Sequence, residues 1–230
     1  MKVVAIIVAA GSGKRMGHST KKQFLCIGSK PILAYTLDIF DSIDRVDRII
    51  LVIPRGWKRH CQKEIIKKYR YRKEIEVISG GARRQDSVAC GLALVSSDYE
   101  IVIIHDGVRP FVTRRMIVES IASARKFGAC IVAVPVTDTV KMVNRKGVIE
   151  RTLPREHLWR VQTPQTFRVS LIKKAYAKAL KDKFYGTDDA QLVERVKKPV
   201  KVISGDYRNI KITTSEDLIL AKKLLSEKPL

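Results

Sequence analysis

The sequence predicts a doubly wound α/β architecture on a mostly parallel sheet, and three observations carry that expectation. First, the runs "VVAIIV" (3–8), "RIILVI" (48–53), "IEVIS" (75–79), "IVIIH" (101–105) and "ACIVAVPV" (129–136) lack polar alternation, so they read as strands covered on both faces. Second, residues 31–42, 57–70, 84–96 and 113–127 repeat apolar side chains at helical spacing. Third, the two kinds of segment alternate, the order that winds helices over both faces of a parallel sheet. Ligands then bind beyond the carboxyl ends of the strands. Chemistry is therefore expected in the loops after residues 8, 79, 105 and 136.

The first strand opens into "AAGSGKRM" and then "KKQF". A Walker A loop needs G-x-x-x-x-G-K-[ST], but Arg15 follows Gly13-Lys14 and Val8 stands where the first Gly belongs. The dinucleotide fingerprint fails too, because Gly17 comes one position late and the second strand ends in Pro54 and Arg55 rather than an acid. What remains is a place where Ala9, Ala10, Gly11 and Gly13 let backbone approach a ligand, ringed by Lys14, Arg15, Lys21 and Lys22. A strand-to-helix turn with solvated lysines would look the same.

Further along, "WKRHCQKEIIKKYRYRK" (57–73) is the densest basic stretch. Ile65, Ile66 and Tyr69 recur at helical spacing, so it reads as an amphipathic helix with a solvated basic face. No helix-turn-helix or RNA-binding signature accompanies it. "GGARRQDSV" places two glycines after a short strand and Ser87 near the next helix start, a turn and a cap. In "IVIIHDGVRPF", Asp106 follows a buried strand. A carboxylate beside bound phosphates needs a cation between them, and Mg²⁺ suits an oxygen ligand plus phosphates. The competing reading is a turn Asp paired with Arg109. His105 falls in register with apolar strand residues and reads as structural.

The segment "DTVKMVNRKGVIERTL" (138–153) breaks the rhythm: two β-like halves flank "NRKG", a hairpin turn. Such an arm has little core of its own and needs a partner, either the domain or another subunit. Helices follow at 169–182 and 188–197, where Asp188 and Asp189 suit a helix N-terminus. A strand at 200–204 and a final helix opened by "TTSEDL" complete the chain, with Thr213 and Glu216 at capping-box spacing. No repeat or linker interrupts it, so 1–230 reads as one domain with a protruding β-hairpin arm, Rossmann-like in its winding.

Composition fits this. The 230 residues are 45% hydrophobic, and no apolar run approaches a membrane span. The N-terminal run is strand-length and leads into a basic loop, so it reads as the first buried strand of a cytoplasmic protein, not a signal peptide. The four cysteines form no CxxC pair, which points to reduced, mostly buried thiols. A net charge of +22 attracts anions such as nucleotides, sugar phosphates or nucleic acid.

Seven motifs, "AAGSGKRM", "KKQF", "GGARRQDSV", "HDGVRPF", "TPQTF", "GTDDA" and "NIKITTSEDL", occur in the order seen in the sugar nucleotidyltransferases. Within them the chain resembles the cytidylyltransferases that act on methylerythritol phosphate, over essentially its whole length. The last motif departs from the family pattern, with Ser215 in place of the usual Pro. The resemblance implies attack by a sugar-alcohol phosphate oxygen on the α-phosphorus of CTP, with release of pyrophosphate, in the non-mevalonate route to isoprenoid precursors. It implies a divalent cation, Mg²⁺, held at Asp106. Arg15 and Lys22 would stabilise charge on the α-phosphate and leaving group, with Lys14 and Lys21 peripheral. Ala9, Ala10, Gly11 and Gly13 would cradle the triphosphate, while Gly81, Arg84 and Ser87 would serve the base side. Arg109, Thr139, Arg155, Thr163, Thr187 and Lys211 would receive the acceptor, with Arg155 and Lys211 also catalytic. The arm would cross a two-fold dimer, so that Thr139 and Arg155 serve the partner's site. A ribitol 5-phosphate cytidylyltransferase would share most motifs, and a basic nucleic-acid-binding protein would share the charge. Neither a specific nucleic acid nor a membrane is expected as partner.

Overall fold

In the computed structural model, residues 2–11 and 21–227 are described. The chain begins with β1 (Lys2–Val8), the ribbon β2 (Cys26–Ile27) and β3 (Lys30–Pro31), α1 (Ile32–Ser42) and β4 (Arg48–Ile53). It continues through α2 (Lys58–Cys61), β5 (Glu74–Ser79), α3 (Arg84–Ala93), β6 (Tyr99–Asp106), α4 (Arg114–Phe127) and β7 (Ala129–Pro135). The arm is β8 (Val140–Val143) and β9 (Ile149–Leu153). After it come β10 (Trp159–Arg168), α5 (Val169–Lys181), α6 (Asp189–Arg195), β11 (Lys201–Ser204) and α7 (Ser215–Ser226).

Seven strands form one sheet in the order β11-β7-β10-β6-β1-β4-β5, parallel except for β10. The unbroken apolar runs are explained by what covers each face. Val3, Ala5 and Ile7 of β1 point into a core with Leu33, Leu37 and Phe40 of α1 and Ile117 and Ile121 of α4. Val4 and Ile6 point the other way, onto Val88 and Leu92 of α3 and Ile172 of α5. Each such aliphatic side chain contributes roughly 1.5–3 kcal/mol through burial. A Cβ at Gly91 would meet Ile6 Cγ2 at 2.8 Å, so this glycine lets α3 lie close on the sheet. At the end of α4, Gly128 takes φ +90°, the left-handed conformation that stops the helix before β7.

Four expectations change. Residues 57–70 are not one α-helix: α2 runs on as a π-helical stretch, Gln62–Lys67. The cap of α7 lies one residue later than read, with Thr214 accepting from Asp217 N and Asp217 bonding back to Thr214 N. The shorter Asp217 carboxylate also takes the Thr213 amide and hydroxyl, so Thr213 joins the cap from outside. Of the four free cysteines, Cys61 and Cys130 are buried but Cys26 and Cys90 are exposed.

Finally, β10 is a central strand that the sequence hides. Pro164 and its polar neighbours argue against a buried strand. The fold satisfies these residues individually. Gln162 donates to Asp206 O and Thr166 to Ser120 Oγ. Gln165 donates to Asp188 and accepts from the Asp189 and Ala190 amides. The ladder with β7 slips between Val161 and Gln165, which accommodates the proline. The hairpin β8–β9 is antiparallel, as expected, with Val143, Val148 and Ile149 exposed along it.

Candidate active site

From β1 the chain moves through β4 to β5 on one side, then returns to β6 on the other. The carboxyl ends of β1 and β6 therefore flank the switch point of the sheet, where a crevice must open. A cavity of about 370 Å³ lies there, lined by Ala9, Ala10, Gly11, Lys22, Gly81, Arg84, Ser87, Asp106 and Lys211, among others. These nine come from five separate stretches of sequence, and all were expected at the site. The lining also includes Gln23, Arg83, Val108 and Thr213, which sequence reasoning did not assign.

Local rules explain how each loop is held. Ala9 N donates to Val52 O and Gly107 N to Val8 O, so the first turn after each strand is pinned to its neighbour. Gln23, buried in the turn Lys22–Phe24, donates to Ala9 O. Phe24 next to it stacks on Trp57 at 5.1 Å, which anchors the far end of the basic loop. In the loop after β5, Ser87 Oγ accepts from Gly81 N at 3.2 Å and donates to Arg83 O at 3.0 Å, closing the loop on the first turn of α3. A Cβ at Gly80 would strike Ala10 Cβ at 2.5 Å, so the loops after β1 and β5 meet only because that position is glycine.

Asp106 is the electrostatic centre. Arg84 Nε donates to its Oδ1 at 3.2 Å; Lys211 Nζ lies 2.8 Å and Arg109 Nε 3.5 Å from its Oδ2. Burial alone would raise this carboxyl, but Arg84, Lys211 and Arg109 outweigh it and hold the group well below the usual carboxylate range. Arg84 is held on its other side by buried Asp189, 2.8 Å away. Burial disfavours its charge, yet Asp189 and Asp106 more than compensate and raise it. Asp189 also accepts from Tyr176 Oη, so the expected role at a helix N-terminus falls to Asp188, whose side chain accepts from Gln191 N.

Behind Asp106 lies a second layer. Thr163 Oγ1 accepts from Asp106 N at 3.0 Å and sits 2.9 Å from His105 Nδ1. His105 Nε2 faces Arg109 O, so Nε2 carries the proton and Nδ1 accepts from the threonine hydroxyl. Burial pushes His105 down to about 3, which keeps it neutral. It is structural, as its register implied. Arg109 is fixed by donation to Asn209 O, and Asn209 Nδ2 in turn donates to Thr163 O.

The remaining expected residues are placed apart. Thr163 and Arg109 support the cavity from behind. Thr187 is exposed, with its amide on Gln191 Oε1. Arg155 and Thr139 sit on or beside the arm, and Arg155 Nη1 donates to Thr137 O. Neither lines the cavity of its own chain. Gly13, Arg15 and Lys14 lie outside the described residues.

Comparison with known proteins decides what this geometry belongs to. Residues 3–227 match the family of 2-C-methyl-D-erythritol 4-phosphate cytidylyltransferase (IspD). The chain belongs to this family. A relative of that name from Alkaliphilus metalliredigens is 48% identical over 99% of this chain and 94% of its own length. The crystal structure of the 4-diphosphocytidyl-2C-methyl-D-erythritol synthase from Anaerococcus prevotii superposes with a TM-score of 0.87 at 36% identity, covering 98% of this chain and 99% of that one. The Thermus thermophilus cytidylyltransferase gives 0.81 at 32% identity, over 99% and 100%. The cavity lining, with main-chain amides of the loop after β1 and the cations Lys22, Arg84 and Lys211, suits an anionic ligand. Among the described residues no three His, Cys, Asp or Glu side chains gather where they could hold a metal ion. No helix among those residues is long and apolar enough to cross a membrane.

Proposed function

We propose that the chain joins CTP and 2-C-methyl-D-erythritol 4-phosphate to give 4-diphosphocytidyl-2-C-methyl-D-erythritol and pyrophosphate, as a cytoplasmic homodimer. The observation that carries this reading is the cavity at the β1–β6 switch point, lined by nine expected site residues in a chain matched to the family over 3–227. An acceptor phosphate oxygen attacks the α-phosphorus, a new P–O bond forms, and the bond to the bridging oxygen of pyrophosphate breaks. The nucleophile is already an anion, so the task is to align two polyanions and absorb charge in an in-line transition state.

Ala9, Ala10 and Gly11 approach the triphosphate with backbone. Lys22 and Arg15 take up charge at the α-phosphate and leaving group. Gly81 and Ser87 hold the base loop, and Arg84 ties that loop to Asp106. Asp106 fits a single protein ligand for Mg²⁺, because such an ion is completed by phosphate oxygens and water rather than by a carboxylate cage. The ion would neutralise phosphate charge there. Lys211 is the most exposed of the three cations around Asp106, which supports reading it as a ligand of the acceptor phosphate. Arg155, Thr139 and Thr187 complete the acceptor side, the first two supplied by the partner subunit's arm.

The test is pyrophosphate release from CTP and Mg²⁺ across a panel of sugar-alcohol phosphates. Turnover that requires methylerythritol phosphate supports the reading; equal or better turnover with ribitol 5-phosphate moves it to that acceptor. Salt-sensitive RNA binding with no turnover on any acceptor would assign the charge to nucleic acid instead.

A further inference from the structure

Three consecutive residues at the start of α3, Arg83 to Gln85, grip a single distant segment. Arg83 lays its guanidinium 3.6 Å from the centroid of the Tyr185 ring. Arg84 Nη1 lies 2.8 Å from Asp189 Oδ2. Gln85 makes two hydrogen bonds to backbone: its Nε2 donates to Phe184 O at 3.1 Å, and its Oε1 accepts from Gly186 N at 2.9 Å. The amide of Gln85 thus pairs with 184–186 as a neighbouring strand would. Gly186 is itself tightly seated, since a Cβ there would meet Leu192 Cδ2 at 2.9 Å and Asp188 O at 3.0 Å. The next residue is Thr187.

From this geometry we infer that Gln85 is a positioning residue for the acceptor: it fixes the loop 184–187, and so Thr187, against the wall that holds the nucleotide. The inference rests on the proposed activity and on Thr187 facing the acceptor. Arg84 has a second duty at Asp106 and Arg83 lines the cavity, whereas Gln85 touches neither Asp106 nor the cavity. Among the described residues, the two main-chain atoms it bonds have no other hydrogen bond across the loop. Losing them frees the loop without removing a group that meets CTP.

Gln85→Met keeps length and volume but removes both bonds, and Gln85→Ala removes volume as well. Amide hydrogen exchange on the folded protein, without substrates, reads the grip itself. Exchange at Gly186 should rise about tenfold or more in both variants, with the core of β1 unchanged. Steady-state kinetics read the consequence. KM for methylerythritol phosphate should rise about tenfold while KM for CTP stays within about twofold. Unchanged exchange at Gly186 in Gln85→Met overturns the grip. Faster exchange with unchanged acceptor KM overturns the positioning role, and so does an equal rise in both KM values. Wild-type protein that turns over no sugar-alcohol phosphate while Gly186 still responds overturns the activity and the positioning role together, leaving only a structural contact.

Discussion

Lys211 Nζ and Asp106 Oδ2 stand 2.8 Å apart, although one belongs to the loop after the edge strand β11 and the other to the end of central β6. The link is braced by Ile212 N donating to Val108 O at 2.9 Å. Arg84 and Arg109 close on the same carboxylate, so three cations share one buried anion. Removing that anion leaves partly buried positive charge facing itself. Asp106→Asn is therefore expected to lose about 3 kcal/mol of stability, in the range for a broken buried pair. It should also lose the Mg²⁺-dependent part of CTP binding. Urea unfolding and calorimetric titration with and without Mg²⁺ measure the two effects, and unchanged metal dependence would leave Asp106 with its structural role alone.

Lys22 lines the cavity beside Gly11, with Gln23 locking the turn behind it. Lys22→Ala should lower kcat by about a hundredfold or more, with a smaller change in KM, because the charge matters most as the leaving group develops. Normal kcat with weakened CTP affinity would make Lys22 a binding residue only.

His105 should make stability depend on pH. Its folded pKa of about 3 lies below the ordinary 6.5, so between these values the unfolded chain binds more protons. Stability from this group is present above pH ~6.5 and declines as pH falls toward ~3. By pH 4 the loss is roughly 3 kcal/mol. His105→Gln has no such titration, so the stability gap between wild type and variant should narrow from pH 7 to pH 4 in urea melts. A constant gap would contradict the assignment.

A shared site predicts complementation. If the arm carries Arg155 to the neighbour's acceptor while Lys22 serves its own subunit, Arg155→Ala and Lys22→Ala are each nearly dead as homodimers. Co-refolded at equal amounts, about half of the dimers are mixed, and each mixed dimer has one intact site, so activity should return to roughly a quarter of wild type. Light scattering confirms dimer formation before assay. No recovery, or a fully active monomer, would refute the sharing.

The parallel strands and most helices were legible because a two-sided sheet demands unbroken apolar runs, and β1, β4 and β6 supply them. β10 was not, because its polar residues are satisfied by partners such as Asp206 and Asp188, remote in sequence. Cavity-lining positions on the first turns beyond β1, β5 and β6 were singled out by loop chemistry and by the family resemblance. The Asp106–Arg109 pair was foreseen as a local turn contact, but the arrival of Arg84 and Lys211 on the same carboxylate was not, since periodicity says nothing of which loops meet. Gln23 and Gln85 were passed over for a related reason: each acts on main-chain atoms of another loop, and a lone glutamine carries no pattern.

The reversed direction of β10 has an evolutionary consequence. β7 and β10 are adjacent and antiparallel, so the chain leaves the sheet at Pro135 and re-enters at its cross-strand partner Trp159 on the same edge. One further bond, Val136 N to Leu158 O, closes the base of the excursion. Everything between is a cassette spliced into a single ladder. It can lengthen, shorten or be exchanged between relatives without re-registering a strand or shifting the walls around Asp106. If the arm crosses to a second subunit as proposed, changes within it would alter that pairing and the Thr139 and Arg155 it carries, while the crevice between β1 and β6 stays in place.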